Sequence, residues 1–193
     1  MNFSFSRQEV KELAISAAAL GFIFSIGPGL TLFNIAMITA IISLSFIPHE
    51  LAHKYVAMKY GCFARYQMWK SGLMFALFLA IVTGGGFVFA APGAVMIYTA
   101  FRDGHGVRQI TLTAKQNAFI SAAGPAMNIM IALLFLPIAN QNIFYSTIVY
   151  INSFLALFNL LPFPPLDGSK IIWYNFLMWG IMVGASFFLF STV

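Results

Sequence analysis

Residues 41–61 read IISLSFIPHELAHKYVAMKYG. The stretch continues an apolar run that begins near Leu30, and it passes without a break into a cluster of ionisable side chains. Helical character persists to Gly61, the expected C-cap, so one helix is expected over residues 30–61. Ionisable groups at the centre of a membrane span cost about 2.5–3.5 kcal/mol each and mark functional positions. Here His49, Glu50 and His53 fall within five residues. On a helix, positions i and i+4 share a face and lie about 6 Å apart along the axis. Two imidazoles can therefore converge on one metal ion. Glu50 then sits beside the ion, where it can hold a water and take its proton. Two imidazoles, a carboxylate and a water form the arrangement of many hydrolytic zinc sites. HExxH is short enough to arise by chance in a soluble protein; its place inside a span is what gives it weight.

The composition agrees with a lipid setting. The chain has 193 residues, 61% hydrophobic and 8% charged, against about 25% charged in a soluble domain. Mean hydropathy is +0.88. Five or six spans would use roughly 100–120 residues, which leaves short loops and no room for a soluble domain of ordinary size. The net charge of +5 is scattered over short connections, so nucleic acid is not an expected partner. Cys62 is the single cysteine, which excludes an internal disulfide and a cysteine-based zinc site. The N-terminal stretch MNFSFSRQEVKEL lacks the pattern of a signal peptide and reads as an amphipathic lead-in.

Outward from the HELAH helix, a first apolar run covers 13–26 and ends at Gly27-Pro28-Gly29, a turn. After Gly61 a basic, aromatic connector, FARYQMWK at 63–70, resembles an interfacial belt. Residues 72–98 are split by Gly84-Gly85-Gly86, and their second half is rich in β-formers. A polar loop at 99–117 precedes a helix over 118–138, a helix and loop over 143–170, and a last helix over 171–190. Lys and Arg are absent from the turn at 27–29, the loop at 139–142 and the C-terminal tail. The positive-inside rule assigns the remaining connections, the N-terminus and the opening of the site to the cytoplasm. Residues 72–98 must then begin and end on one side, as a re-entrant or β-hairpin segment or two short passes. The expected fold is an all-α polytopic membrane protein with about six transmembrane helices.

A third metal ligand must come from the few acids left. Asp103 sits in the polar loop beside Arg102, and Glu9 and Glu12 lie near the terminus. Asp167 follows an apolar span in FNLLPFPPLDGSK, where prolines 162, 164 and 165 stop the helix. With 72–98 re-entrant, Asp167 and HELAH lie near the same membrane face.

HELAH at the end of one span, GPAMN at 124–128 in a later one, and NLLPFPPLDG from Asn159 resemble the three signatures of the site-2 protease family. The resemblance covers about residues 40–175. It implies an intramembrane zinc protease that cuts transmembrane segments of other membrane proteins within the lipid bilayer. It implies one Zn2+ per chain, held by His49, His53 and Asp167. The family's polar residues in the later spans carry over to Asn128 and Asn159. Two departures stand out: there is no room for a PDZ domain or a CBS pair, and residues 72–98 are more apolar than a short strand connection.

An amide at Asn159 or Asn128 can stabilise an oxyanion, an effect of about 2.7–4 kcal/mol at other sites. Otherwise each is hydrogen-bond glue between spans, the reading preferred for Asn152. A substrate helix must unwind to be cut, and an edge strand can accept it by β-augmentation. The segment from Phe87 to Tyr98 is the candidate strand, with Phe87, Val88, Val95 and Ile97 as substrate-binding residues. A polar passage for water is expected near Lys54 and Lys170. His105, between two glycines, reads as an exposed loop histidine, and Gly180 and Gly184 as a GxxxG pair that favours close helix packing. The alternative is an ion- or proton-coupled transporter subunit that uses His49, Glu50, His53 and Asp167 as a relay. It lacks the internal symmetry common in transporters. A catalytically dead scaffold is disfavoured by the intact Glu50, and a di-iron oxygenase by the presence of only three histidines.

Overall fold

A computed structural model describes residues 4–103 and 106–193. The chain runs α1 (Arg7–Ser25), α2 (Leu32–Lys59), β1 (Phe63–Met68), α3 (Lys70–Val82), β2 (Gly93–Tyr98), β3 (Ala100–Asp103), β4 (Gly106–Gln109), α4 (Ala114–Phe135), a 3₁₀ helix (Leu136–Gln141), α5 (Ile143–Asn159), α6 (Asp167–Tyr174) and α7 (Phe176–Ser191). The fold is mostly helical. Among the described residues, two segments are long and apolar enough to cross a membrane: Leu32–Lys59, and Ala114–Gln141, which joins α4 to the 3₁₀ helix. Helices α3, α5 and α7 are apolar but shorter, and α1 carries Arg7, Glu9, Lys11 and Glu12 in its first turns.

The outside is apolar, as a lipid-facing surface must be. Leu32, Phe33, Leu134, Phe176 and Trp173 are all exposed, Trp173 at 89%. A soluble protein scatters such residues singly and avoids large contiguous patches of them. The core between α1, α2 and α5 is built from Leu13, Leu20, Ile41, Ile42, Ile148 and Ile151.

Helix α2 is capped by Thr31, whose hydroxyl accepts the Asn34 N–H, and it continues unbroken through Pro48. Helix α4 starts at Ala114, ahead of the expected 118, because Thr113 and Gln116 form a capping box. The single last helix expected over 171–190 is two helices. Asn175 is extended (φ −154°), and its side chain caps α7 by accepting the Met178 N–H. Asn is among the best N-cap residues, so it restarts a helix as readily as it ends one. Gly180 and Gly184 make no close helix contact among the described residues: a Cβ at either would meet nothing within 4 Å.

The fold is not purely α. The connector at 63–70 holds β1, and the polar loop holds the β3–β4 pair. Residues 72–98 divide into most of α3, a glycine turn and β2. Gly84 and Gly85 take positive φ (59° and 82°), which favours glycine. Strand β2 pairs antiparallel with β1, from Phe63↔Tyr98 to Met68↔Gly93, rather than forming a hairpin within 72–98. This pairing sets residue 68 beside residue 93, on either side of α3 and the glycine turn.

The direction of each backbone group in this strand pair can be read from three hydrogen bonds. Trp69 N–H donates to the Pro92 carbonyl at 2.8 Å, across to the β2 side. The N–H groups of Tyr66 and Met68 point the other way, to the Glu9 and Glu12 carboxylates on α1. Antiparallel ladders alternate, so Tyr66↔Val95 and Met68↔Gly93 are non-hydrogen-bonded pairs. The backbone groups of Gly93, Val95 and Ile97 therefore face away from β1, along the second edge of β2.

Candidate metal centre

One turn of α2 presents His49 and His53, and the first residue of α6 presents Asp167. Their ligand atoms lie within 4.8 Å of one another. The two Nε2 atoms are 3.1 Å apart, and Asp167 Oδ2 lies 3.1 Å from His53 Nε2 and 3.7 Å from His49 Nε2. The far side of each ring is anchored. His53 Nδ1 is 2.7 Å from the Ile120 carbonyl, which can only accept, so Nδ1 carries the hydrogen. His49 Nδ1 is 2.6 Å from Asn128 Oδ1. The Asn128 amide nitrogen donates to the Ser45 carbonyl and to Asn152 Oδ1, which fixes its oxygen toward His49 as an acceptor.

In the neutral rings both Nε2 atoms are then lone pairs, turned toward each other and toward a carboxylate oxygen. A cation between them resolves that arrangement, and a His, His, carboxylate set suits zinc. Helix α4 leaves room for it at Gly124. A Cβ there would run into Nε2 of both histidines. Glu50 is 6% exposed, and its Oε2 is the one buried side-chain atom without a hydrogen-bond partner among the described residues. It borders a cavity of about 380 Å³ that also touches His49, His53, Asp167, Asn159 and β2. The backbone of Val95 faces the Glu50 carboxylate.

The structure thus brings His49, Glu50, His53 and Asp167 together. It gives the two asparagines different surroundings. Asn159 lines the cavity, but its amide donates to Leu155 O within its own helix, at 2.9 Å. Asn128 is fully buried and turned to His49, so it orients a ring rather than meeting an oxyanion. Asn152 donates to Ser45 Oγ and Ile148 O, and so extends the chain of amides behind His49.

Of the proposed strand residues, Val95 and Ile97 lie in β2 and border the cavity. Phe87 and Val88 precede the strand, which starts six residues after Phe87 because Pro92 has no N–H to give a ladder. Val88 packs on Ile23, Ala76 and Ala80 instead. Lys54 does not mark a water passage. It is 2% exposed and paired with Glu9 at 2.7 Å. Lys170 does border the cavity. His105 lies outside the described residues. Gly124, Ile120 and Ser45 escaped the sequence reading as site residues. Gly124 could have been found as the first residue of GPAMN; a backbone carbonyl such as Ile120 leaves no trace in side-chain identity.

Comparison with known proteins agrees with this chemistry. Residues 36–147 match the sequence model of peptidase family M50, a stretch that contains His49, Glu50, His53, Gly124 and Asn128 and stops before Asp167. A protein of Methanocaldococcus jannaschii, named "Putative zinc metalloprotease", is 37% identical over 192 residues, covering 93% of this chain and 91% of its own. A Bacillus subtilis protein with the same descriptive name is 30% identical over 166 residues, covering 74% and 69%. No solved structure matches. The chain belongs to peptidase family M50, the site-2 protease family of zinc metalloendopeptidases.

Proposed function

We propose that the chain hydrolyses peptide bonds within or near transmembrane segments of other membrane proteins. In this reading it crosses the bilayer several times, with its N-terminus and the cavity mouth on the cytoplasmic side. The observation that carries the proposal is the meeting of three metal donors and a buried carboxylate with one oxygen left unpartnered in a cavity walled by a strand edge. The apolar exterior supports the membrane setting.

His49, His53 and Asp167 would hold zinc. When bound, zinc supplies Lewis acidity, lowering the pKa of a water to about 7 and polarising a carbonyl. Glu50 takes a proton from the water as its oxygen adds to the scissile carbonyl carbon. Glu50 then gives that proton to the leaving amine as the C–N bond breaks. Asn128 and Ile120 keep both imidazole rings turned so that Nε2 faces the site. The substrate backbone must be extended to be cut. Gly93 and Ile97 offer it main-chain groups along the outer edge of β2, on either side of the Val95 backbone that faces Glu50, while the Val95 and Ile97 side chains pack inward. In strand addition the main-chain hydrogen bonds supply affinity and pockets for alternate side chains supply specificity. The transporter reading draws no support from the family assignment.

The test is cleavage of assorted single-span substrates by the purified chain, with and without a zinc chelator. Chelator-sensitive cuts inside or beside the span are expected; only soluble peptides being cut would refute the proposal. Ile97→Pro removes one edge N–H without touching a metal donor or the Val95 N–H that faces Glu50. It is expected to lower kcat/KM at least 10-fold with zinc content unchanged, as measured by metal analysis beside initial rates. Full activity in Ile97→Pro would rule out strand addition at this edge.

A further inference from the structure

The other edge of the strand pair is closed by α1. Glu9, 2% exposed, accepts the Tyr66 N–H at 3.0 Å. Glu12 accepts the Met68 N–H at 2.9 Å. Alternate residues of β1, whose N–H groups point outward, thus end on carboxylates one helical turn apart. A carboxylate only accepts, so it satisfies these donors and repels the carbonyls of any strand that approaches this edge. Glu9 does more. Its two oxygens receive Lys54 Nζ at 2.7 and 2.8 Å, and Lys54 also donates to Ser4 O at 2.7 Å. Lys54 is the residue after His53 on α2. Burying an ion pair is seldom the cheapest way to stabilise a fold. This one links the start of α1, the edge of β1 and the helix that carries both imidazoles.

We infer that Glu9 and Glu12 are positioning residues for proteolysis: both block the β1 edge and tie it to α1, and Glu9, through Lys54, sets the strand pair at a fixed offset from Glu50, so that an extended substrate adds only at β2 and in one register. The inference rests on the proposed function. It adds a role for α1, which contributes no atom to the metal centre.

The test uses the full, zinc-loaded chain and begins with Glu12, which lies outside the buried ion pair. In Glu12→Ala, hydrogen exchange at the Met68 amide should quicken at least 10-fold, with zinc per chain unchanged. KM for a single-span substrate should rise at least 5-fold with kcat within about 3-fold, and mass spectrometry should find cuts spread over neighbouring bonds. Glu12→Gln keeps a carbonyl acceptor and should restore both exchange protection and the single cut. In Glu9→Gln the Tyr66 contact can persist while Lys54 loses its counter-charge, so loss of register there assigns the offset to the ion pair. Faster exchange in Glu12→Ala with KM and cut position unchanged would overturn the inference, as would zinc lost in step with activity. Failure of the wild-type chain to cut any single-span substrate would instead count against the proposed function.

Discussion

Glu50→Gln is expected to retain about one zinc per chain and to cleave about 10²- to 10⁴-fold more slowly than the wild type. The substitution keeps size and shape and removes the capacity to take a proton. Glu50 is not among the three converging donors, so metal affinity should survive. The buried, partnerless Oε2 is the atom left to receive a proton from water, and an amide cannot do this. Metal analysis beside single-turnover cleavage decides it. Near-wild-type turnover, or zinc lost together with activity, would remove Glu50 from the role of base.

Gly124→Ala should be nearly as damaging by a different route. One added methyl would meet Nε2 of both histidines, in the space that a cation must fill. The rings have no retreat, because Asn128 and Ile120 hold them from behind, and α4 packs broadly on α2. Zinc affinity is expected to fall at least 10-fold, comparable to the loss of an outer-shell partner, and activity with it. Gly184→Ala is the matched control, since a Cβ there meets nothing within 4 Å; it should change stability by no more than about 0.5 kcal/mol. Equal zinc content in the two variants would show that α4 does not limit the site.

The contrast between these two glycines marks what a linear reading could find. HELAH was legible because both imidazoles sit on one helix, where spacing alone sets their geometry. Asp167 was legible because acids are scarce and the prolines before it break a span. The work of the asparagines was not. Asn159 and Asn128 look equivalent in sequence, and only the packing of α4 between α2 and α5 turns one toward His49 and leaves the other bonded to its own helix. Glu9 and Glu12 were equally opaque. Their partners are a lysine 45 residues away and the backbone of a strand whose FARYQM sequence reads as a basic, aromatic connector. Strand pairing is non-local, so neither β1 nor its capped edge announces itself. The break at Asn175 was missed for a local reason: asparagine within an apolar run looks like a tolerated polar residue until its own backbone is seen to be extended.

Asp167 stands on α6, far along the chain from the two imidazoles it meets on α2. The donor set is therefore complete only once α6 has docked. Metal affinity is then tied to tertiary folding rather than to the HELAH helix alone, and whatever loosens α6 should release the ion before it melts α2.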